Sequence, residues 1–312
     1  MTHPQITARS WAMLVALGLV WGATFMVIEI ALRGITPFWL AAARIGFACL
    51  LLVAVWGGRG WRLFHRRIGA SVIATLVVVG AFSSAVPFML LSWGQKSVTS
   101  GFAGISMATV AIMVLPLAHA FLPGERMNPR KVLGFLIGFI GVAVLIGPQA
   151  LASTGIEGEA AGRIACLAAA GCYAISSVNM QRLPPVDPVG LAALLLVIGT
   201  VIVIPVALAV EGPPPLPDGQ TIAALALLGL VPTAAASLLR VQLIRSAGST
   251  FMSLVNYMVP VISVLVGALV LGEALSGSVF MALALVLTGM GLSQWGALSR
   301  LFRRRTVSPP PA

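Results

Sequence analysis

Residues 255–275 read VNYMVPVISVLVGALVLGEAL, with no charge before Glu273. A run this long and this apolar reads as a helix crossing the hydrocarbon core of a membrane. Its pattern returns elsewhere in the chain. A gapless offset of 148 residues lays Gly124-Glu125 on Gly272-Glu273, Gly141 on Gly289 and Gly134 on Ala282. Interior prolines recur as well: Pro87 and Pro232 in the third and eighth apolar runs, Pro116 and Pro260 in the fourth and ninth. The chain therefore reads as a duplication, with one repeat over residues 1–150 and a second over 151–305. Residues 306–312, ending Pro-Pro-Pro-Ala, read as a disordered tail.

The rest of the chain has the same character. Of 312 residues, 59% are hydrophobic and only 9% are charged, too little charge to cover a water-facing surface. Ten apolar stretches are long enough to span a bilayer, roughly 11–31, 37–56, 69–92, 98–121, 129–147, 162–181, 188–210, 220–243, 247–271 and 276–296. The expected fold class is all-α: a polytopic membrane protein with ten transmembrane helices in two inverted five-helix repeats. The inversion follows from the odd number of spans per repeat, which starts the second repeat from the opposite side.

Charge placement sets the orientation. With a cytoplasmic N-terminus, 15 of the 19 Lys and Arg residues fall on inner segments, among them Arg59, Arg62, Arg245 and Arg303–Arg305. The outer side holds Arg33, Lys96 and Arg163, and Arg44 lies inside the second span. This bias places both termini inside. The net charge of +11 is thus topological, and no nucleic-acid partner is expected. An enzyme is not expected either. The only aspartates, Asp187 and Asp218, lie in loops, there is no H-E-x-x-H, and no G-x-x-x-x-G-K-[ST] motif supports ATP coupling. Cys49, Cys166 and Cys172 are scattered through apolar stretches. Neither a metal site nor any cofactor is implied.

Particular motifs resemble the drug/metabolite transporter superfamily, specifically its ten-span members with two EamA domains. These are Trp21-Gly22-Ala23-Thr24-Phe25 in the first span, Pro37 and the Ala-Ala-Ala-Arg44 run in the second, Gly124-Glu125-Arg126 before the fifth, Tyr257-Met-Val-Pro260-Val in the ninth and Gly272-Glu273-Ala274-Leu275 before the tenth. The chain departs from the family pattern at Ile112, Ala282 and Tyr173. The resemblance implies a secondary transporter in a bacterial inner membrane. It leans toward export of amino acids, aromatic ones included, with a multidrug or organic-cation carrier of the same fold, or a proton-coupled exchanger, as alternatives.

A carrier needs polar and aromatic groups near mid-membrane to receive a desolvated solute. At helical spacing the sequence offers Trp21 and Thr24 (span 1), Arg44 (span 2), Ser83 and Ser84 (span 3), Ser106 (span 4), Tyr173 and Ser176 (span 6), Ser237 (span 8), and Asn256 and Tyr257 (span 9). Pro87, Pro232 and Pro260 are the candidate hinges, since proline removes a backbone donor and frees a carbonyl. Two further expectations concern pairs. Arg44 is expected to pair with Glu29 across the short first hairpin. Gly134, Gly138 and Gly141 form a small-residue seam suited to helix packing or to a homodimer, and a monomer fits equally well. Glu29 is the one acid placed within a span, so facilitated export with proton exchange open is the coupling expected. The partners are then a small-molecule substrate and the lipid bilayer.

Overall fold

The structure is a computed structural model, and it describes residues 6–64, 69–122, 127–146 and 158–303. The Gly124-Glu125-Arg126 motif, Arg66, Arg67, Arg304, Arg305, most of the junction between repeats and the tail lie outside the described residues.

The described residues form ten helical spans: Ala8–Ala31, Pro37–Gly58, Ala70–Gly94, Ser100–Phe121, Pro129–Ile146, Glu159–Met180, Pro188–Glu211, Gly219–Ala247, Val255–Leu271 and Gly277–Arg303. Eight contain a stretch long and apolar enough to cross a membrane, and the protein is a multi-pass membrane protein. Short polar residues start the helices. Thr99 accepts from Phe102 N–H (3.2 Å), Asp187 from Gly190 N–H (2.9 Å) and Asp218 from Thr221 N–H (2.8 Å), each satisfying a first-turn donor that has no partner within the helix. Pro37 and Pro188 open equivalent spans in the two repeats. Large apolar side chains such as Leu50, Phe139, Val201 and Leu269 are exposed around the periphery, as a lipid-facing belt requires.

Packing repeats with exchange of the two halves. Span 1 lies on span 9 as span 6 lies on span 4. Span 2 lies on span 8 as span 7 lies on span 3, and span 3 on span 6 as span 8 on span 1. Spans 2 and 7, 4 and 9, and 5 and 10 meet their own counterparts. This is the contact pattern of a pseudo-two-fold body. With five crossings per repeat, equivalent spans run in opposite directions. The glycine seam of span 5 is used inside the chain: a Cβ at Gly134 would lie 2.6 Å from the carbonyl oxygen of Gly289 on span 10, and one at Gly141 would strike Leu285 and Val286. The seam that could have served a dimer is covered by span 10.

Two spans widen into π turns, and they are equivalent. Span 3 passes through a π segment at Ala81–Ala85 and span 8 through one at Gly229–Ala235. The first residues of the two segments are separated by the same 148-residue offset. Pro87 and Pro232 account for the weakness, because each deletes one i→i−4 hydrogen bond. Span 9 is interrupted before its main helix: a short helix, Ser249–Met252, precedes Val255–Leu271. Pro260 lies within that longer, uninterrupted helix, so the break in span 9 falls upstream of the proline.

Candidate functional site

The proline in span 8 starts a chain of consequences. Pro232 has no N–H to offer Leu228, four residues earlier. The Thr233 hydroxyl donates to that carbonyl instead (2.8 Å). Thr233 Oγ1 in turn accepts from Arg44 Nε of span 2 (2.9 Å). The Arg44 guanidinium lies 4.0 Å from the ring centroid of Phe88, just past the π segment of span 3, where a cation is attracted to the negative ring face. Below the π segment, Ala236 N–H reaches back to Val231 O. This leaves Pro232 O free to accept from Trp21 Nε1 of span 1 (2.9 Å). One irregular turn thus anchors Trp21 and Arg44 together.

Arg44 is 7% exposed, and its partners correct the expected ion pair. Its Nε is given to Thr233, its face to Phe88, and Tyr173 lies within its electrostatic range. Glu29 lies elsewhere, against Glu273 at the other end of the first hairpin's reach. The physical reason is direction: residues 37–44 descend about two turns into the membrane, and span 2 turns Arg44 toward spans 3 and 8 rather than toward span 1.

The aromatic candidates converge. Trp21, Tyr173 and Tyr257 are partly buried and pack on one cluster that includes Phe25, Phe102 and Val259. The Tyr257 hydroxyl is buried without a hydrogen-bond partner. The small hydroxyls behave differently. Thr24 donates to Val20 O (2.8 Å), Ser84 to Gly80 O (2.9 Å), Ser106 to Phe102 O (2.9 Å) and Ser237 to Thr233 O (2.5 Å), each on its own helix. Their protons are committed to the backbone, so only their lone pairs remain for a solute. Ser176 is buried and Ser83 half-buried.

Exposure changes along two helical stripes. In span 9, Gly267, Ser263 and Pro260 are buried while Asn256, on the same helical face, is exposed. In span 8, Gly229 and Thr233 are buried, Ser237 is half-buried and Arg240 is exposed. Both stripes open toward the end of the molecule where residues 6 and 303 lie, called here the near end. A cavity of about 530 Å³ lies there, lined by Arg59, Arg62, Phe64, Asp187 and Arg245, and another of about 430 Å³ lies beside it, against Leu238 and Gln242. Neither holds the mid-membrane candidates; together they make a basic surface mouth at the ends of spans 2, 7 and 8. Arg59 pairs with Asp187 there (3.3 Å).

The far end is tied shut by polar contacts between spans. Gln95 Nε2 donates to Phe25 O (2.9 Å), and Ser263 Oγ to Ser100 O (2.9 Å). Glu273 accepts from Ser100 N–H (2.7 Å) and Gly101 N–H (3.1 Å). Glu211 accepts from Thr36 Oγ1 (2.5 Å), Phe38 N–H (3.0 Å) and Trp39 N–H (3.2 Å).

Phe88, Gln95, Ser100 and Glu273 are not among the site residues expected from the sequence, whereas Thr233 falls on a polar stripe of span 8. The stripe Gly229-Thr233-Ser237-Arg240 was a usable signal for Thr233. Phe88 carried none, since one more Phe in an apolar run is unremarkable. The basic mouth read only as an orientation signal, because its arginines come from separate loops.

Inverted five-span repeats around a polar and aromatic interior define a membrane transporter. The chain belongs to the EamA-like transporter family, which matches residues 9–147 and again 160–294, and so to the drug/metabolite transporters. It is 28% identical to the uncharacterized inner membrane transporter YedA of Escherichia coli K12, over 95% of this chain and 94% of that one. It is also 28% identical to a probable terminal-alkyne amino-acid exporter of Streptantibioticus cattleyicolor, over 45% of this chain and 46% of that one. A crystal structure shares the fold with a TM-score of 0.60 at 21% identity, covering 93% of this chain and 98% of the other.

Proposed function

We propose that the protein exports small amphipathic metabolites, amino acids and aromatic amino acids in particular, from the cytoplasm by alternating access. The observation that carries this reading is Arg44, 7% exposed within the second span, bonded to Thr233 over the Phe88 ring, with Trp21 held on the same irregular turn of span 8. A guanidinium is the natural partner of a carboxylate, and the rings of Trp21, Tyr173 and Tyr257 would hold an apolar side chain. The ammonium group would find the Tyr257 oxygen, Asn256 or serine lone pairs. Arg44 weighs against an organic cation as substrate, because a buried positive charge repels it. The partial likeness to an amino-acid exporter supports the same class.

The basic residues of the near end support a cytoplasmic placement of that end and of both termini, and on this reading the body faces inward. The repeats occupy 1–150 and 151–305, and Pro87 and Pro232 serve as hinges at the π segments. The test is counterflow. Liposomes loaded with unlabelled phenylalanine should accumulate external radiolabelled phenylalanine transiently. Trp21→Ala or Arg44→Ala should abolish that overshoot. A flux without overshoot would indicate a channel, and no flux with any of the twenty amino acids would refute amino-acid export.

A further inference from the structure

The far gate contains a group of acceptors that the contacts above leave unsatisfied. Among the described residues, buried side-chain atoms without a hydrogen-bond partner include Glu29 Oε2 on span 1, Gln95 Oε1 at the end of span 3 and Ser100 Oγ at the start of span 4. Ser100 is 0% exposed and Gln95 4% exposed. Unmet polar atoms at such depth are costly, and two of these residues, Ser100 and Glu29, lie where Glu273 crosses from the second repeat. The Glu29 carboxyl lies within hydrogen-bonding reach of the Glu273 carboxyl and of Ser100. The backbone delivers Glu273 to this point. Gly272 takes a left-handed turn (φ 69°), Glu273 N–H returns to Gly267 O (3.2 Å), and the missing side chain of Gly267 leaves room for the carboxylate, since a Cβ there would collide with it.

Two carboxyl groups in contact have no donor between them unless one carries a proton. Both ionised, they would repel in a buried setting. Glu273 already accepts two N–H bonds from the start of span 4, which places it as the acceptor of the pair. We propose that Glu29 and Glu273 bind one proton between them, carried on Glu29 and donated to Glu273, and that this proton holds the extracellular gate shut. The proton comes from extracellular water as the gate closes and returns there when the gate opens and both groups ionise. The site thus adds regulation by external pH to the alternating-access reading on which its gating role rests.

The surrounding charges are few. Arg33 follows Glu29 by one turn and is exposed, and Lys96 between spans 3 and 4 is exposed too. Span 6 contributes Arg163, over the Phe102 ring and bonded to Glu159. Span 9 offers the uncharged Ser263 and Gly267, and span 8 offers Thr221 with its exposed cap Asp218.

Hydrogen exchange at the Ser100 and Gly101 amides, read by mass spectrometry on the full chain in nanodiscs, tests this. Wild-type protection, corrected for chemical exchange rates, should fall as pH rises, by up to about tenfold per pH unit for one linked proton. Glu29→Gln, neutral at every pH and able to donate to Glu273, should stay protected and flat. Glu273→Gln should be weakly protected throughout. An infrared band of a protonated carboxyl should bleach with rising pH in the wild type and be missing in Glu29→Gln, which decides the matter if Glu273→Gln does not fold. Wild-type protection that ignores pH, or that follows sodium at constant pH, would overturn the proton site. Gate titration as described in a protein that fails phenylalanine counterflow would uphold the proton site while removing the proposed substrate.

Discussion

At Thr233 a single hydroxyl serves two needs, as donor to Leu228 O and as acceptor from Arg44 Nε. Thr233→Val keeps the shape and removes both bonds. It should destabilise the protein by about 1–3 kcal/mol, the cost of buried groups left unpaired, and should lower phenylalanine counterflow. Thr233→Ser should restore both, and thermal unfolding in detergent distinguishes the two variants. Arg44→Lys keeps the charge but loses the planar fork that spans Thr233 and the Phe88 ring, so it should bind solute more weakly while folding normally. The sequence made Arg44 conspicuous, because a charge within an apolar span has few explanations. It misassigned the partner, because Glu29 and Arg44 are near in sequence while Thr233 is 189 residues away. Local spacing cannot weigh a contact made by the far half of the chain.

Among the elements, the two π segments are the most specific. Pro232→Ala returns the missing N–H and allows span 8 to close into a regular helix. Pro232 O would then be drawn into the helix and Trp21 would lose its acceptor. The expected result is a higher melting temperature with slower transport, and a blue or red shift in Trp fluorescence would report the change at Trp21. At the start of span 8, the bond from Thr221 to the Asp218 carboxylate holds that acid below its ordinary range. A group lowered on folding contributes stability that is complete above its unfolded value and disappears as pH falls through its folded one. Acidification below about pH 4 should therefore loosen the first turn of span 8, and Asp218→Ala should show that looseness at neutral pH in hydrogen exchange. The ten spans were legible from apolar length, whereas Asp187 and Asp218 read only as loop residues and their capping bonds emerge from the structure. The π geometry was not, since a proline announces a lost hydrogen bond and leaves open whether the helix kinks, breaks or widens.

For the whole molecule, the pseudo-two-fold contact pattern and the graded exposure of the two stripes belong together. A cysteine at Asn256 should react quickly with a membrane-impermeant maleimide applied from the cytoplasmic side, and one at Ser263, on the same face but buried, at least several-fold more slowly. Equal rates would mean that the stripes do not report an opening. The duplication was readable from the 148-residue offset, but the state in which the body rests was not, because it depends on contacts the repeats do not share. One such contact biases the machine. Exchanging the roles of the repeats would set Ala85 where Thr233 now stands and Ala192 where Arg44 now stands. The mirrored arrangement therefore has no counterpart for the bond that joins spans 2 and 8, and the two conformers are unequal in energy by design. On the proposed orientation and cycle, the body without solute rests facing the cell interior, and cargo supplies the push that turns it outward.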